Sequence, residues 1–107
     1  VNTLAAVTST NVAKIFGMYP KKGTISIGSD ADLVILDPKL EKTITVEDSI
    51  YGIDWYPYEG TNVKGNPIIT ISKGKVVYED NVFTGKAGDG EFLKRQISSK
   101  ILSKPSV

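Results

Sequence analysis

Residues 22–37 read Lys-Gly-Thr-Ile-Ser-Ile-Gly-Ser-Asp-Ala-Asp-Leu-Val-Ile-Leu-Asp, and the rest of the chain is best understood from this stretch outward. Its two isoleucines alternate with polar residues, which predicts a short strand over residues 24–27. The Gly-Ser-Asp-Ala-Asp sequence then predicts a chain reversal, because glycine tolerates positive φ and short polar side chains bond nearby backbone amides. Residues 33–36 are an unbroken aliphatic run, typical of a buried strand that the following Asp-Pro pair ends.

Helical periodicity precedes this unit. Apolar residues recur at helical spacing from residue 2 to residue 16, and Gly17 is suited to end the helix in a left-handed conformation. The Thr-Ser-Thr run at residues 8–10 favours a break into two short helices, with Ser9 or Thr10 as the second N-cap. The sequence therefore predicts a kinked helix pair.

Strand signals follow the aliphatic run. Residues 68–72 and 75–79 flank a Lys-Gly pair, which predicts a hairpin with positive φ at Gly74. Residues 82–83 add a short strand after a further turn, and residues 43–46 are another candidate strand.

The predicted fold class is α+β: a short N-terminal helix or helix pair, a small and mainly antiparallel β domain, and a C-terminal tail or helix. We divide the chain into residues 1–19 as a helical segment, residues 20–85 as the β domain and residues 86–107 as the tail. Within the tail, apolar spacing over residues 91–102 predicts a helix or an arm, and residues 103–107 are expected to fray.

Composition restricts the partners of the chain. Its 107 residues with 40% hydrophobic content fit one ordinary globular domain. A formal net charge of +1 gives no broad field for nucleic acid or anionic lipid, and no apolar run approaches the roughly 20 residues of a membrane helix. Without cysteine or a signal-like start, a cytoplasmic location is expected. A start without methionine, directly in helical sequence, is expected of a piece cut from a longer protein.

Most catalytic chemistry is excluded by the absence of histidine and cysteine, which rules out His- or Cys-based zinc and the Ser-His-Asp and Cys-His systems. Asp30, Asp32 and Asp37 lack EF-hand spacing, and we interpret them as turn and strand-end caps. The glycine-rich residues 85–90 lack the Gly-Lys-Ser/Thr ending of a phosphate loop and are interpreted as a connector. Two carboxylate pairs are interpreted as solvated loop charges: Glu47 with Asp48, and Asp54 with Glu59. No catalytic, substrate-binding or metal-binding residue is therefore predicted.

An aromatic segment occupies residues 48–66, which are too many for a plain loop in a small domain. Its aromatic residues are Tyr51, Trp55, Tyr56 and Tyr58. Because acidic rather than basic residues lie among them, packing against a larger body is favoured over stacking on bases or sugars. A self-sufficient module that binds a protein partner through this surface is a competing hypothesis.

The stretch quoted first resembles the Gly-x-Ile-x-x-Gly-x-Asp-Ala-Asp-Leu-Val-x-x-Asp pattern of the amidohydrolase superfamily. Three further stretches resemble the C-terminal end of hydantoinases and dihydropyrimidinases: residues 8–20, residues 56–60 with 63–65, and residues 88–95. Dihydroorotases and allantoinases share the middle elements but fit the last stretch less well. The chain departs from the family at Val12, where Pro or Ala is usual, and before Tyr56, where histidines are common. These departures bear on the substrate rather than on the family.

The resemblance implies a catalytic apparatus outside this chain. Enzymes of this family have a distorted (β/α)8 barrel with two divalent metal ions, usually zinc, held by histidines, an aspartate and a carboxylated lysine. Their metals supply the hydroxide that opens hydantoins and dihydropyrimidines to N-carbamoyl amino acids. No position of that site falls within residues 1–107, so the resemblance implies a structural role for this piece and no metal of its own. Catalytically silent dihydropyrimidinase-related scaffold proteins are the alternative.

The resemblance also implies partners. The small sheet domain of the family takes strands from the N-terminal end of the protein, so the missing N-terminal and barrel part is the first partner. Further copies of the subunit, in a dimer or tetramer, are the second. A chain without those strands is expected to expose a sizeable apolar surface.

Overall fold

A computed structural model of the chain describes residues 2–48, 52, 54–96 and 99. The described residues of Val1–Asp32 and Lys86–Val107 form one compact unit, and those of Leu33–Gly85 form a second. Among all of them, no helix has the length and apolar character needed to cross a membrane. The predictions for Tyr51, and most of the predicted terminal helix beyond residue 96, fall outside the described residues. The α+β class is confirmed.

The N-terminal segment is helical, but its middle is wider than an α-helix. Helices α1 (Asn2–Ala5) and α2 (Asn11–Ile15) are joined by a π-helical turn, Ala6–Thr10. The predicted second N-cap is wrong, because Thr10 keeps helical φ and ψ of −63° and −48° and makes no side-chain capping bond. Its hydroxyl instead donates to the carbonyl of Gly23 at 2.8 Å. A tertiary contact therefore uses the group that local capping would have used.

The end of α2 follows the prediction. Gly17 has a φ of +69°, in the left-handed region that favours glycine at a helix C-terminus. The N–H groups of Met18 and Tyr19 both donate to the carbonyl of Ala13, at 2.8 and 3.1 Å, and close the last turn. Ala13 is 3% exposed and is the one buried hydrophobic residue among those described.

Residues 18–32 form turns without a strand, so the prediction of a strand over residues 24–27 is wrong. Ile25 and Ile27 are 87% and 107% exposed. A strand requires a neighbour to satisfy its backbone N–H and C=O groups, and no described strand pairs with this segment. The predicted reversal after it is confirmed, with Gly28 at a φ of +90° and the Ser29 N–H donating to the Ser26 carbonyl at 3.1 Å.

The second unit is an antiparallel sheet with the strand order β1-β2-β3-β4. The strands are β1 (Leu33–Thr43), β2 (Asn62–Ser72), β3 (Lys75–Glu79) and β4 (Val82–Phe83). The predicted end of the first strand at Pro38 is wrong, because β1 continues past it through a register shift between Asp37 and Glu41. Proline is tolerated at such an irregularity, since no ladder bond is required of its nitrogen. The candidate strand at residues 43–46 is also absent: Thr43 ends β1, and a 3₁₀ turn follows at Val46–Asp48.

The predicted hairpin joins β2 to β3. Gly74 has a φ of +80°, as predicted, and Lys73 is also left-handed at +48°. Two positive φ values match the type I′ geometry, which suits the twist of the flanking strands. A similar two-residue turn, Asp80 and Asn81 at +50° and +63°, leads into β4 and confirms the last predicted strand.

Both faces of this sheet carry apolar side chains. Directly opposed residues share a face, so the pairs Leu33 with Ile71 and Ile35 with Ile69 lie on one face. Val34 lies on the opposite face, and it is 61% exposed while Ile35 is 44% exposed. The predicted burial of residues 33–36 is therefore wrong for the chain as described. A continuous aliphatic run suits a strand covered on both sides, and here each side is open.

Candidate functional site

A cluster of charged side chains in the first unit surrounds Lys22. Its ammonium lies 2.8 Å from Oδ2 of Asp30 and also contacts Oδ2 of Asp32. A second lysine, Lys21, lies 3.6 Å from Oδ1 of Asp30. The Asp30 N–H donates to the Lys21 carbonyl at 2.9 Å, and the Ser29 hydroxyl donates to the Pro20 carbonyl at 2.7 Å. These bonds fold the turn back onto the preceding residues and bring the carboxylates to the lysines.

The ionisation of this cluster favours a structural role. The hydrogen bond from Lys22 lowers the pKa of Asp30, and the nearby positive charges lower it further. Partial burial lowers the pKa of Lys22, but the bonds to Asp30 and Asp32 outweigh it and the pKa is raised. Lys22 thus stays cationic and neutralises two carboxylates. Its role was missed from the sequence, because the turn rather than local spacing places it between Asp30 and Asp32.

Metal binding is not supported by these carboxylates. Among the described residues, no group of three or more His, Cys, Asp or Glu side chains is placed to hold a metal ion. The predicted capping role holds for Asp37, whose Oδ1 accepts the Lys39 N–H at 2.8 Å. Asp30 is instead engaged by lysine. These carboxylates are therefore engaged by lysine or by a backbone amide rather than arranged as metal ligands.

A second charged cluster lies where β1 ends. Oδ1 of Asp48 is 2.5 Å from the Lys42 ammonium, and its Oδ2 accepts the Thr45 N–H at 2.9 Å. The Lys42 bond, followed by the Thr45 bond, lowers the pKa of Asp48. Asp48 thus holds the 3₁₀ turn and stays ionised. The pair of Glu47 with Asp48 is not arranged as a general acid and base, because one member is committed to an ion pair.

The aromatic segment is partly exposed. The rings of Tyr56 and Tyr58 meet edge to face, with centroids 5.9 Å apart and planes at 73°. Trp55 is 69% exposed and Tyr58 is 60% exposed. The Gly60 N–H donates to the Ile44 carbonyl at 2.9 Å, which ties the segment to the chain beyond β1. The segment therefore pairs two of its rings with each other and leaves Trp55 and Tyr58 largely exposed.

The glycine-rich loop has the geometry of a connector. The Asp89 N–H donates to the Lys86 carbonyl at 3.2 Å, and Gly88 has a φ of +93°. The loop follows the two-residue strand β4 and leads into residues 91–96, which have no regular structure. A phosphate loop opens a helix whose N-terminal amides bind the phosphate, and no helix opens within residues 84–96.

An open groove of about 510 Å³ lies across the paired ends of β1 and β2, and all but one of its lining residues are polar. The lining residues are Glu41, Lys42, Thr43, Asn62, Val63 and Lys64. Glu41 accepts a bond from Lys64 at 3.0 Å, and Thr43 donates to the Asn62 side chain at 2.6 Å. These polar groups satisfy one another across the strands, so they form a cross-strand ladder rather than a substrate pocket.

Comparison with known proteins assigns the chain to a family. The family model described as "Amidohydrolase family" matches residues 1–77. Dihydropyrimidinase of Rattus norvegicus is 48% identical over 103 residues, which are 96% of this chain and 20% of that protein. Dihydropyrimidinase-related protein 5 of Mus musculus is 47% identical over 91 residues, which are 85% of this chain and 16% of that protein.

Solved structures agree with these relatives. A D-hydantoinase structure superposes with a TM-score of 0.86 at 40% identity, and the match covers 91% of this chain and 21% of that one. The chain spans between about a sixth and a fifth of the length of the curated relatives it matches. By sequence and by fold, this chain belongs to the amidohydrolase family, among the hydantoinases and dihydropyrimidinases.

Proposed function

We propose that this chain is the C-terminal region of a hydantoinase- or dihydropyrimidinase-like hydrolase and that its own role there is structural. The whole protein hydrolyses cyclic amides, the hydantoins and dihydropyrimidines, to N-carbamoyl amino acids. The observation that carries the proposal is the similarity to a dihydropyrimidinase over nearly the whole chain. The lack of a metal-ligand group among the described residues is compatible with a catalytic centre elsewhere in the protein.

The sheet supports the structural role. Val34 and Ile35 lie on opposite faces and are both exposed, so the sheet is built to be covered on two sides. Strand β1 is also an edge strand, whose outer backbone groups are available for pairing. The remaining four fifths of the protein supply the covering layers in this proposal.

The parts of the chain have separate tasks in this proposal. Residues 1–19 join the catalytic barrel, residues 20–85 belong to the small β domain and residues 86–107 form the tail. Two divalent metal ions, zinc in our proposal, lie in the barrel and take no ligand from this chain. The whole protein is a cytoplasmic homo-oligomer, a dimer or a tetramer, with neither nucleic acid nor membrane as a partner.

The activity is tested on the whole protein. Ring opening of hydantoin and of dihydrouracil is followed by NMR, and we expect conversion of at least one of them to its N-carbamoyl product. Ile69→Asp, which puts a charge on the central strand β2, is expected to destabilise the protein and abolish activity. The control Lys64→Gln, on the same strand but 65% exposed at the side chain, is expected to retain kcat.

A well-folded whole protein that converts neither compound would contradict the enzymatic part of the proposal. It would favour a non-catalytic dihydropyrimidinase-related protein, a candidate that the 47% identity to such a protein supports. The upstream sequence offers an independent check, because two histidines separated by one residue on an early barrel strand are expected of an active enzyme.

The exposed aromatic rings favour a second candidate for the chain itself, a surface that binds a protein partner. Trp55 and Tyr58 are the residues that carry it. Trp55→Ala in the whole protein separates the two candidates. A lower melting temperature is expected if the indole packs against the rest of the same protein, whereas an unchanged one favours a partner surface.

A further inference from the structure

The C-terminal turn of α2 is the end of the helical segment, where helices fray. It closes a stretch that is helical from Asn2 to Ile15, because α1 and α2 are joined by the π-helical turn. The N–H groups of residues 16–18 donate to the carbonyls of residues 12–14. Gly17 then turns the chain away in a left-handed conformation. Phe16, which follows the helix, is 49% exposed. Any segment that binds here therefore acts on the end of the helix, where fraying begins.

The segment after the glycine-rich loop makes that contact. The Gln96 N–H donates to the Gly17 carbonyl at 3.1 Å. The guanidinium carbon of Arg95 lies 6.0 Å from the centroid of the Phe16 ring, within the range of a cation–π contact. Leu93 is half-buried, in contrast to its exposed neighbours. These contacts cross from one end of the sequence to the other, because the whole second unit, Leu33–Gly85, lies between them in the chain.

We propose that residues 91–96 are a strap that holds the C-terminal turn of α2 and opens and closes together with it. The backbone bond to Gly17 fixes the position of the strap, and Arg95 covers the Phe16 ring. Displacing the strap uncovers Phe16 and frees the turn that Met18 closes through its bond to Ala13. The tail thereby controls the order of the helix end at the other extreme of the chain. This device does not depend on the hydrolase activity proposed above.

Amide hydrogen exchange on the full chain tests the strap. The Gln96 amide is expected to exchange more slowly than the Lys94 amide, although neither lies in regular structure. Arg95→Ala removes the cation above Phe16 and is expected to speed exchange of the Gln96 and Met18 amides together, by about 2- to 5-fold, as follows from the usual strength of an exposed cation–π contact. Lys94→Ala is the matched control, because it removes the same charge from the adjacent position and is expected to change neither rate.

Two results would overturn the proposal. One is a Gln96 amide that exchanges at the rate of an unstructured peptide in the unmodified chain. The other is an equal response of the Met18 amide to Arg95→Ala and to Lys94→Ala, which would trace the effect to net charge. Because both variants alter an exposed side chain only, loss of folding is not expected to obscure the comparison.

Discussion

Gly23 is a position where a substitution can measure the close packing of the first unit. A Cβ placed on Gly23 would lie 2.5 Å from the Cβ of Ala13 and 3.2 Å from the Ser9 carbonyl oxygen. Gly23 also has a φ of +83°, a conformation that side-chain-bearing residues rarely adopt. Gly23→Ala therefore introduces both a steric overlap with the helix and backbone strain.

The two costs have different sizes. Left-handed backbone costs a residue with a Cβ about 1–2 kcal/mol. Overpacking against a buried side chain adds about 1–3 kcal/mol, so Gly23→Ala is expected to lower the free energy of unfolding by about 2–5 kcal/mol. Gly28→Ala is the matched control, since its φ is +90° and nothing lies within 4 Å of the added Cβ. It is expected to cost only the strain, about 1–2 kcal/mol. The change in unfolded-chain entropy is common to both and cancels in the difference.

Urea unfolding of the full chain, followed by far-UV circular dichroism, measures these free energies. Exchange of the Met18 and Tyr19 amides, which bond to Ala13, reports the same loss locally. In the Gly23→Ala background, Ala13→Gly is expected to be less destabilising than in the unmodified chain, because it removes the overlapping methyl group. Equal destabilisation by Gly23→Ala and Gly28→Ala would refute the reasoning, since it would mean that Gly23 does not lie against the helix.

Three further predictions concern charge and exposure. Asp30→Asn is expected to weaken the dependence of the free energy of unfolding on pH in the acid range. The lowered pKa of Asp30 stabilises the fold above the ordinary Asp pKa of about 3.9, and this stabilisation is lost as pH falls through the lower folded value. Lys22→Met tests the other partner when the free energy of unfolding is measured above about pH 10. The stabilisation from the raised pKa of Lys22 is complete below about 10.4 and is lost as pH rises through the folded value. The chain alone is expected to bind a dye for apolar surfaces, and Ile25→Thr with Ile27→Thr is expected to reduce the signal, whereas absence of dye binding would contradict their exposure.

The features predicted correctly are those that depend on a few adjacent residues. Gly17, Gly28 and Gly74 all adopt the positive φ expected of them, because the lack of a Cβ is a local property that needs no neighbour in space. The hairpin between β2 and β3 follows from one of these glycines and from the β-prone residues on each side of it. The family motif was likewise readable, and the similarity to dihydropyrimidinases confirms it.

The incorrect predictions share a different cause. The isoleucines at residues 25 and 27 have the alternation of a strand, but a strand exists only where another strand pairs with it. Pro38 has no N–H to donate and is typical of a strand end, but the register shift opposite β2 means that no ladder bond is required at this position. Thr10 has the hydroxyl of an N-cap, but the approach of Gly23 gives that hydroxyl another acceptor.

By itself, the sequence determined the family, the turns at Gly17, Gly28 and Gly74, and the exclusion of histidine- and cysteine-based chemistry, since each depends on residue identity alone. Only the tertiary structure decided which segments pair, that Lys22 stands between two carboxylates and that Gln96 returns to Gly17, 79 positions away in the numbering. Burial could not be deduced from hydrophobicity for the same physical reason. An aliphatic run is typical of a strand that is covered on both faces. The exposure of Val34, in contrast, depends on whether the covering layer is present.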